Sequence, residues 1–172
     1  MNLKNYIRTV PDYPVEGVNF YDVNSLFSSP AWGMVVEKMA KQAWDLDDCP
    51  THIVGLESRG FVVGAALAHE MLLPFTMVRK KGAKYTGTLL EESYELEYGS
   101  DTLTLQEGIL GHTSRVILVD DLIATGGSIL ATKRLVEQTG ARVVGAATLI
   151  SLEYLMPANF NLDYITMFGV EK

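Results

Sequence analysis

The chain has 172 residues, 48% of them hydrophobic and 20% charged, with a formal net charge of −7. That length can bury a real core within one domain, and the acidic balance leaves no global basic field to draw in nucleic acid or anionic lipid. A lone Cys49 excludes a disulfide framework and a cysteine-rich zinc site, and no stretch approaches the ~20 apolar residues of a membrane span.

The opening MNLKNYIRTVPDY has no apolar signal-peptide core, which predicts a cytoplasmic address. Residues 2–8 suit a short helix stopped before Pro11. VPDYPVEGVNFY, from Val10 to Tyr21, holds two prolines and a glycine among aromatics and reads as an ordered, irregular arm. Ser29 as N-cap and Pro30 at the first helical position predict a helix running to about Trp44. Its apolar positions Met34, Val35, Met39 and Ala43 would face a sheet. HIVGLE (52–57) then reads as a buried strand, SRGFVVGAALAHEM as a helix, and PFTMVR (74–79) as a strand. A long polar stretch follows, to about Ser93. SYELEYG and DTLTLQ (93–106) alternate like two strands joined at Gly99-Ser100. RVILVDD (115–121) is a buried strand, GGSILATKRLVEQTG a helix closed by Gly140, and ARVVGAATLIS (141–151) and DYITMF (163–168) the last strands. Strands alternating with helices define an α/β domain with a mostly parallel central sheet flanked by helices. Met34, Met39, Met71 and Met77 read as core filler. His52, His69 and His112 show no spacing that suggests catalysis.

In such sheets ligands bind beyond the carboxyl ends of strands. Three informative segments end strands here: Glu57-Ser58-Arg59, Arg79-Lys80-Lys81 and Asp120-Asp121. After the last pair, Ala124, Thr125, Gly126, Gly127 and Ser128 would offer backbone N–H groups and two hydroxyls to one phosphate at a helix N-terminus. The segment is not a Walker loop, because no GxxxxGK[ST] spacing occurs. Carboxylates do not contact phosphate, but they accept hydrogen bonds from the hydroxyls of an attached sugar. Together these features read a ribose 5-phosphate. A strand-end acidic pair before an ordinary glycine-rich helix start is the competing structural reading.

VILVDDLIATGGS resembles the phosphoribosyl pyrophosphate (PRPP) motif of the type I phosphoribosyltransferases. DYPVEGVNFYDV, GLESRGFVVGAALA, VRKKG and SYELEYG resemble that family's adenine branch, in the family's order from about residue 7 to residue 155. The resemblance implies one domain with an N-terminal hood over about 8–26 and a mobile hairpin lid over about 80–106. It implies transfer of ribose 5-phosphate from PRPP to N9 of adenine, giving AMP and pyrophosphate, with Mg²⁺ carried by PRPP rather than by protein ligands. Asp120 and Asp121 would hold the ribose hydroxyls and Ala124 to Ser128 the 5-phosphate. Glu57, Ser58 and Arg59 resemble the pyrophosphate loop, where the family implies a cis or strained peptide, and Lys80 and Lys84 lie where the family keeps basic residues. Phe20 would stack on the purine, Asn19 and Tyr21 would bond its edge, and Leu152 would close the other face. Glu97 and Tyr98 sit in the lid motif, Glu97 as the acid/base group. A homodimer is also implied.

Read without the resemblance, Phe20 is a packing aromatic, Glu97 a solvated hairpin glutamate and Arg79-Lys80-Lys81 a solvated basic cluster. The chain departs from the family at AKYTG, which replaces the usual Lys-Leu-Pro and shifts the alignment of Lys84, and at Asn24. A 6-oxopurine phosphoribosyltransferase is the alternative enzyme, and a PRPP-sensing regulator the alternative of another class. The regulator should carry a basic nucleic-acid surface, which an acidic chain lacks.

Overall fold

A computed structural model describes residues 5–46, 49–96 and 99–171. The chain begins with an antiparallel pair, β1 (Arg8–Val10) and β2 (Phe20–Asp22), in which Arg8 faces Asp22 and Val10 faces Phe20. Of the helix expected over residues 2–8, residues 2–4 lie outside the described residues, Asn5 has 3-10 backbone and Arg8 is extended. Pro11 disfavours helical backbone at Val10, and pairing with β2 takes the extended segment instead. The link between the two strands is tied by Asp12, whose carboxylate accepts the Gly17 N–H at 2.8 Å.

Helix α1 (Asn24–Phe27) is a single turn that hydrophobic periodicity over longer windows does not reveal. Helix α2 spans Trp32–Ala43 and starts two residues after Pro30. Ser29 still serves its beginning, because its hydroxyl accepts the Ala31 N–H at 3.2 Å. The buried stripe of α2 is Val35, Val36, Met39, Ala40 and Ala43. Met34 lies outside that stripe and is exposed, as is Met77, so only Met39 and Met71 of the four expected methionines fill the core.

The remaining elements are β3 (His52–Leu56), α3 (Arg59–Met71), β4 (Phe75–Lys80), β5 (Leu89–Leu96), β6 (Gly99–Gln106), β7 (Arg115–Ile123), α4 (Gly127–Glu137), β8 (Arg142–Leu152) and β9 (Tyr164–Val170). They form one sheet in the order β5-β6-β4-β3-β7-β8-β9. The five strands from β4 to β9 run parallel, and the β5–β6 hairpin joins the β4 edge antiparallel. Alternation along β7 serves both faces: Ile117 and Val119 pack with Met39 and Leu67, while Val116 and Leu118 pack with Ile129 and Leu135. Helices α2 and α3 thus cover one face and α4 the other, which aligns the ends of β3, β4 and β7 along one rim.

Two boundaries move in ways that affect the site. β5 begins at Leu89, inside the stretch expected to be polar loop, because Leu89 and Leu90 pair with Gln106 and Leu105. Gly99 and Ser100, expected at the turn, are themselves in β6, opposite Leu96 and Glu95. β7 continues two residues past Asp121, since Leu122 and Ile123 pair with Ile150 and Ser151 of β8.

Candidate active site

The three strand ends converge as the sequence predicts. Glu57, Ser58, Arg59, Lys80, Asp120, Asp121 and Leu122 line one cavity of about 440 Å³. The peptide between Glu57 and Ser58 is cis. Gly60 lets the first turn of α3 approach β7: an added Cβ would stand 2.7 Å from the Val119 carbonyl oxygen and 3.0 Å from Asp120 Oδ1. No larger residue brings Ser58 and Arg59 this close to the carboxylate pair. Arg59 Nε lies 2.8 Å from Asp121 Oδ2, although that oxygen receives no well-directed hydrogen bond. The Glu57 carboxylate faces β4, accepting the Lys80 N–H at 2.8 Å with Arg79 Nε 3.5 Å away.

A second cavity, also about 440 Å³, is lined by Tyr94, Glu95, Leu122, Ala124, Thr125, Gly126, Gly127 and Ser128. Leu122 borders both cavities, so they adjoin at the end of β7. Gly126 caps α4 with φ +78°, a conformation open to glycine, and a Cβ there would overlap the ring of Phe160. The free N–H groups of the first turn and the positive end of the helix dipole face this second cavity. Such a lining offers backbone donors suited to an anion, which a net charge of −7 does not register.

Asp121 is buried and Asp120 half-buried. Burial, then repulsion from Asp121, pushes the Asp120 carboxyl well above the ordinary range. Burial also raises Asp121, and the Arg59 guanidinium opposes that rise. Asp120 Oδ1 accepts the Asp121 N–H at 2.9 Å, which fixes the carboxylate beside the rim. Such a pair is matched to donors of hydrogen bonds or to a cation, not to phosphate.

The β1–β2 arm contributes through strand alternation. Phe20 lies under the Arg59 guanidinium, 5.7 Å from ring centroid to Cζ, and meets Tyr13 edge-on at 5.3 Å. Tyr21 faces the other way, into a cavity of about 210 Å³ with Ile7, Thr9, Phe168 and Val170, and burial raises its phenol pKa. Asn19 is exposed just before β2, and Leu152 is buried at the end of β8 beside Val170. Lys84 is exposed in the β4–β5 link and is not among the residues lining either rim cavity. Glu97 and Tyr98 lie outside the described residues.

Residue types alone did not single out Tyr94, Leu122, Tyr85 or Asp101. Tyr94 stands on the hairpin 3.9 Å from where a Gly127 Cβ would be. Tyr85, from the unusual AKYTG segment, lies against the Arg79 guanidinium at 5.6 Å and donates to the Met77 carbonyl at 2.7 Å. The hairpin is fastened to α4 by Arg134, whose Nε donates to Glu92 at 2.6 Å, and by Gln138, 3.0 Å from the same carboxylate. The alternation of SYELEYG signalled the strand, but not which α4 residues it would meet.

A glycine-capped helix start, an acidic pair at a strand end and a loop that brings Arg59 across from it are the arrangement that suits a phosphorylated sugar. The family model described as phosphoribosyl transferase domain matches residues 22–154. An adenine phosphoribosyltransferase of Rhodospirillum rubrum is 47% identical over 156 residues, 90% of each chain. The crystal structure of adenine phosphoribosyltransferase from Rhodothermus marinus superposes with a TM-score of 0.84 at 40% identity, covering 98% of this chain and 96% of that one. The Saccharomyces cerevisiae enzyme, solved with adenine and an imino-altritol bisphosphate, gives 0.87 at 36% identity over 96% of each chain. The chain belongs to the phosphoribosyltransferase family, in its adenine phosphoribosyltransferase branch.

Proposed function

We propose that this protein transfers ribose 5-phosphate from PRPP to N9 of adenine, releasing AMP and pyrophosphate, and so serves purine salvage. The observation that carries the reading is the adjoining pair of rim cavities, with Asp120 and Asp121 between the glycine cradle and the Glu57–Arg59 loop. Adenine as the base rests on 47% identity to a relative of that name along nine-tenths of the chain.

In this reading Ala124 to Ser128 hold the 5-phosphate by backbone donation, with the Thr125 and Ser128 hydroxyls beside them. Asp120 and Asp121 accept hydrogen bonds from the ribose hydroxyls, which turns the sugar so that C1 faces the Ser58–Arg59 loop. The backbone there, together with Arg59 and Lys80, binds the diphosphate. Adenine stacks on Phe20, with Leu152 closing its other face and the backbone of Asn19 and Tyr21 reading its edge. As the C1–oxygen bond to the diphosphate breaks, N9 forms a bond to C1 and the base loses its N9 proton. Glu97 is the family's group for that proton, with Tyr98 and the hairpin excluding water. Lys84 is a further diphosphate contact once the β4–β5 link folds inward.

The acidic pair, with a buried Asp121 oxygen lacking a well-directed hydrogen bond, suits the Mg²⁺ that PRPP brings. Asp120 and Asp121 would hold the ion there, where it would supply positive charge to the leaving diphosphate. Among the described residues, no cluster of three or more His, Cys, Asp or Glu could hold a metal. A cytoplasmic homodimer completes the reading. Val62 of α3 and Met77 of β4 are exposed apolar side chains on neighbouring elements that a second copy would cover. No described helix is long and apolar enough to cross a membrane, and neither nucleic acid nor lipid suits the acidic charge.

Initial rates with adenine, hypoxanthine, guanine and xanthine, at saturating PRPP and Mg²⁺, test the proposal. A site that hydrogen-bonds a 6-amino group leaves buried groups unpaired against a 6-oxo base, which discriminates by up to ~10⁴-fold. Adenine should be turned over and the other three scarcely at all. Comparable rates on a 6-oxopurine would reassign the substrate, and PRPP binding without any turnover would favour a regulator.

A further inference from the structure

Lys80 ends β4 and Lys81 follows it, yet only one of them lines the diphosphate-side cavity. Lys80 lines it, while Lys81 pairs with Glu91 at 2.7 Å. Sheet register separates them. Lys80 is opposite Leu103 of β6, and alternation puts Leu103 and Asp101 on one side and Thr102 on the other. Lys81 donates its N–H to the Thr102 carbonyl at 2.8 Å, which continues the ladder.

On the cavity side, Lys80 Nζ meets Asp101 Oδ2 at 2.8 Å. The other Asp101 oxygen accepts the Thr102 N–H at 2.8 Å, so the carboxylate is held by its own strand. Directly across the hairpin, Asp101 is paired with Tyr94, which lines the phosphate cradle. One carboxylate therefore touches the lysine of one cavity and faces the tyrosine of the other. The bond to Asp101 is the main cause that raises the Lys80 pKa, and the same bond is the main cause that lowers that of Asp101. A free lysine loses rotamer entropy when a ligand orders it. Here that ordering has already occurred, and an ammonium with three donors keeps two for a ligand after one reaches Asp101.

We propose that Asp101 is a positioning residue for the reaction: it presents Lys80 to the diphosphate of PRPP and ties that lysine to the hairpin that carries Tyr94. The inference rests on the phosphoribosyl-transfer reading and adds to it a residue that does not touch substrate. It acts on diphosphate affinity rather than on the bond-making step.

The test is Asp101→Asn, which keeps shape and removes charge, alongside Lys80→Met and the double variant. Lys80 is half-exposed, so screening keeps the effect moderate. Asp101→Asn should raise the PRPP KM, and the calorimetric Kd of magnesium pyrophosphate, by roughly three- to tenfold, with a much smaller change in kcat. In the Lys80→Met background it should add almost nothing, and Asp101→Glu should recover part of the loss. Tighter pyrophosphate binding by Asp101→Asn would mean that Asp101 competes with the diphosphate, overturning the proposal. Effects that add in the double variant, or a loss confined to kcat, would overturn it too. If Asp101→Asn melts below the assay temperature, the Asp101→Glu variant with and without Lys80→Met carries the same comparison. A Lys80→Met variant that binds PRPP like the wild type would instead remove Lys80 from the substrate site and refute that part of the underlying reading.

Discussion

Gly60→Ala is a one-methyl perturbation whose cost can be worked from distances. The new Cβ would lie 2.7 Å from Val119 O, 3.0 Å from Asp120 Oδ1 and 3.1 Å from Asp120 Cα. Carbon–oxygen contacts are comfortable at roughly 3.3–3.6 Å, so the first turn of α3 must retreat by about half an ångström or more. Two of the three opposing atoms are backbone of β7, which is paired on both sides by β3 and β8 and cannot yield. Overpacking of this kind costs about 1–3 kcal/mol, or a Tm lower by roughly 2–12 °C for a chain of this size. The functional cost is larger, because the movement separates Ser58 and Arg59 from Asp120 and Asp121. Misplacements approaching 1 Å can cost ~10²-fold in rate. Steady-state kcat/KM for PRPP and a thermal melt check both numbers. Gly33→Ala is the control: nothing lies within 4 Å of its Cβ, and it sits in α2 away from the rim. Wild-type kcat/KM and Tm in Gly60→Ala would show that the close approach of α3 to β7 does not build the site.

Asp120→Asn should separate stability from function. A carboxyl whose folded pKa exceeds its unfolded one adds stability that is complete below the unfolded pKa and is lost as pH rises through the folded pKa. The amide should therefore melt higher than wild type at pH 8, by a margin that shrinks toward pH 4, while kcat/KM for PRPP falls roughly ten- to hundredfold; a margin independent of pH would refute the assignment. Phe20→Ala removes a stacking surface worth about 1–3 kcal/mol per base, so the adenine KM should rise about tenfold or more with the PRPP KM little changed. An equal rise in both would mean that Phe20 acts through Arg59, which it contacts at 5.7 Å, rather than on the base.

The rim was legible because its signals are local. A run of aliphatics ending in Asp120-Asp121 and then Thr125-Gly126-Gly127 states a strand, its end and a helix start within one short segment. Glu57-Ser58-Arg59 followed by a helical pattern states the same for β3 and α3. What stayed hidden depends on register between distant segments. Nothing near Asp101 in the chain says that it will meet Lys80, because their contact follows from Lys80 opposing Leu103 in an antiparallel pair. Phe160 against Gly126 and Arg134 against Glu92 are hidden for the same reason. The helix expected at the N-terminus shows the converse limit at its described end, Arg8. Its residues suit a helix locally, and pairing of Arg8–Val10 with Phe20–Asp22 overrides that preference.

An acidic protein that binds a polyanion needs its cationic character placed rather than summed. Here the placement is mostly backbone: a helix start at Gly126 and a helix start at Ser58, with Arg59 and Lys80 the side-chain charges that line the rim cavity. Both of those side chains are already engaged by carboxylates, Arg59 by Asp121 and Lys80 by Asp101. The pairings fix where each cation points, and Arg59 also restrains the rise in the Asp121 pKa. The same contacts keep the site from acting as an indiscriminate phosphate trap, since any anion must compete with a built-in carboxylate. A ligand that carries hydroxyls for Asp120 and Asp121 as well as phosphates for the two helix starts satisfies every group at once. Inorganic phosphate satisfies only some of them, and in the proposed reading that difference would select a phosphorylated ribose over its parts.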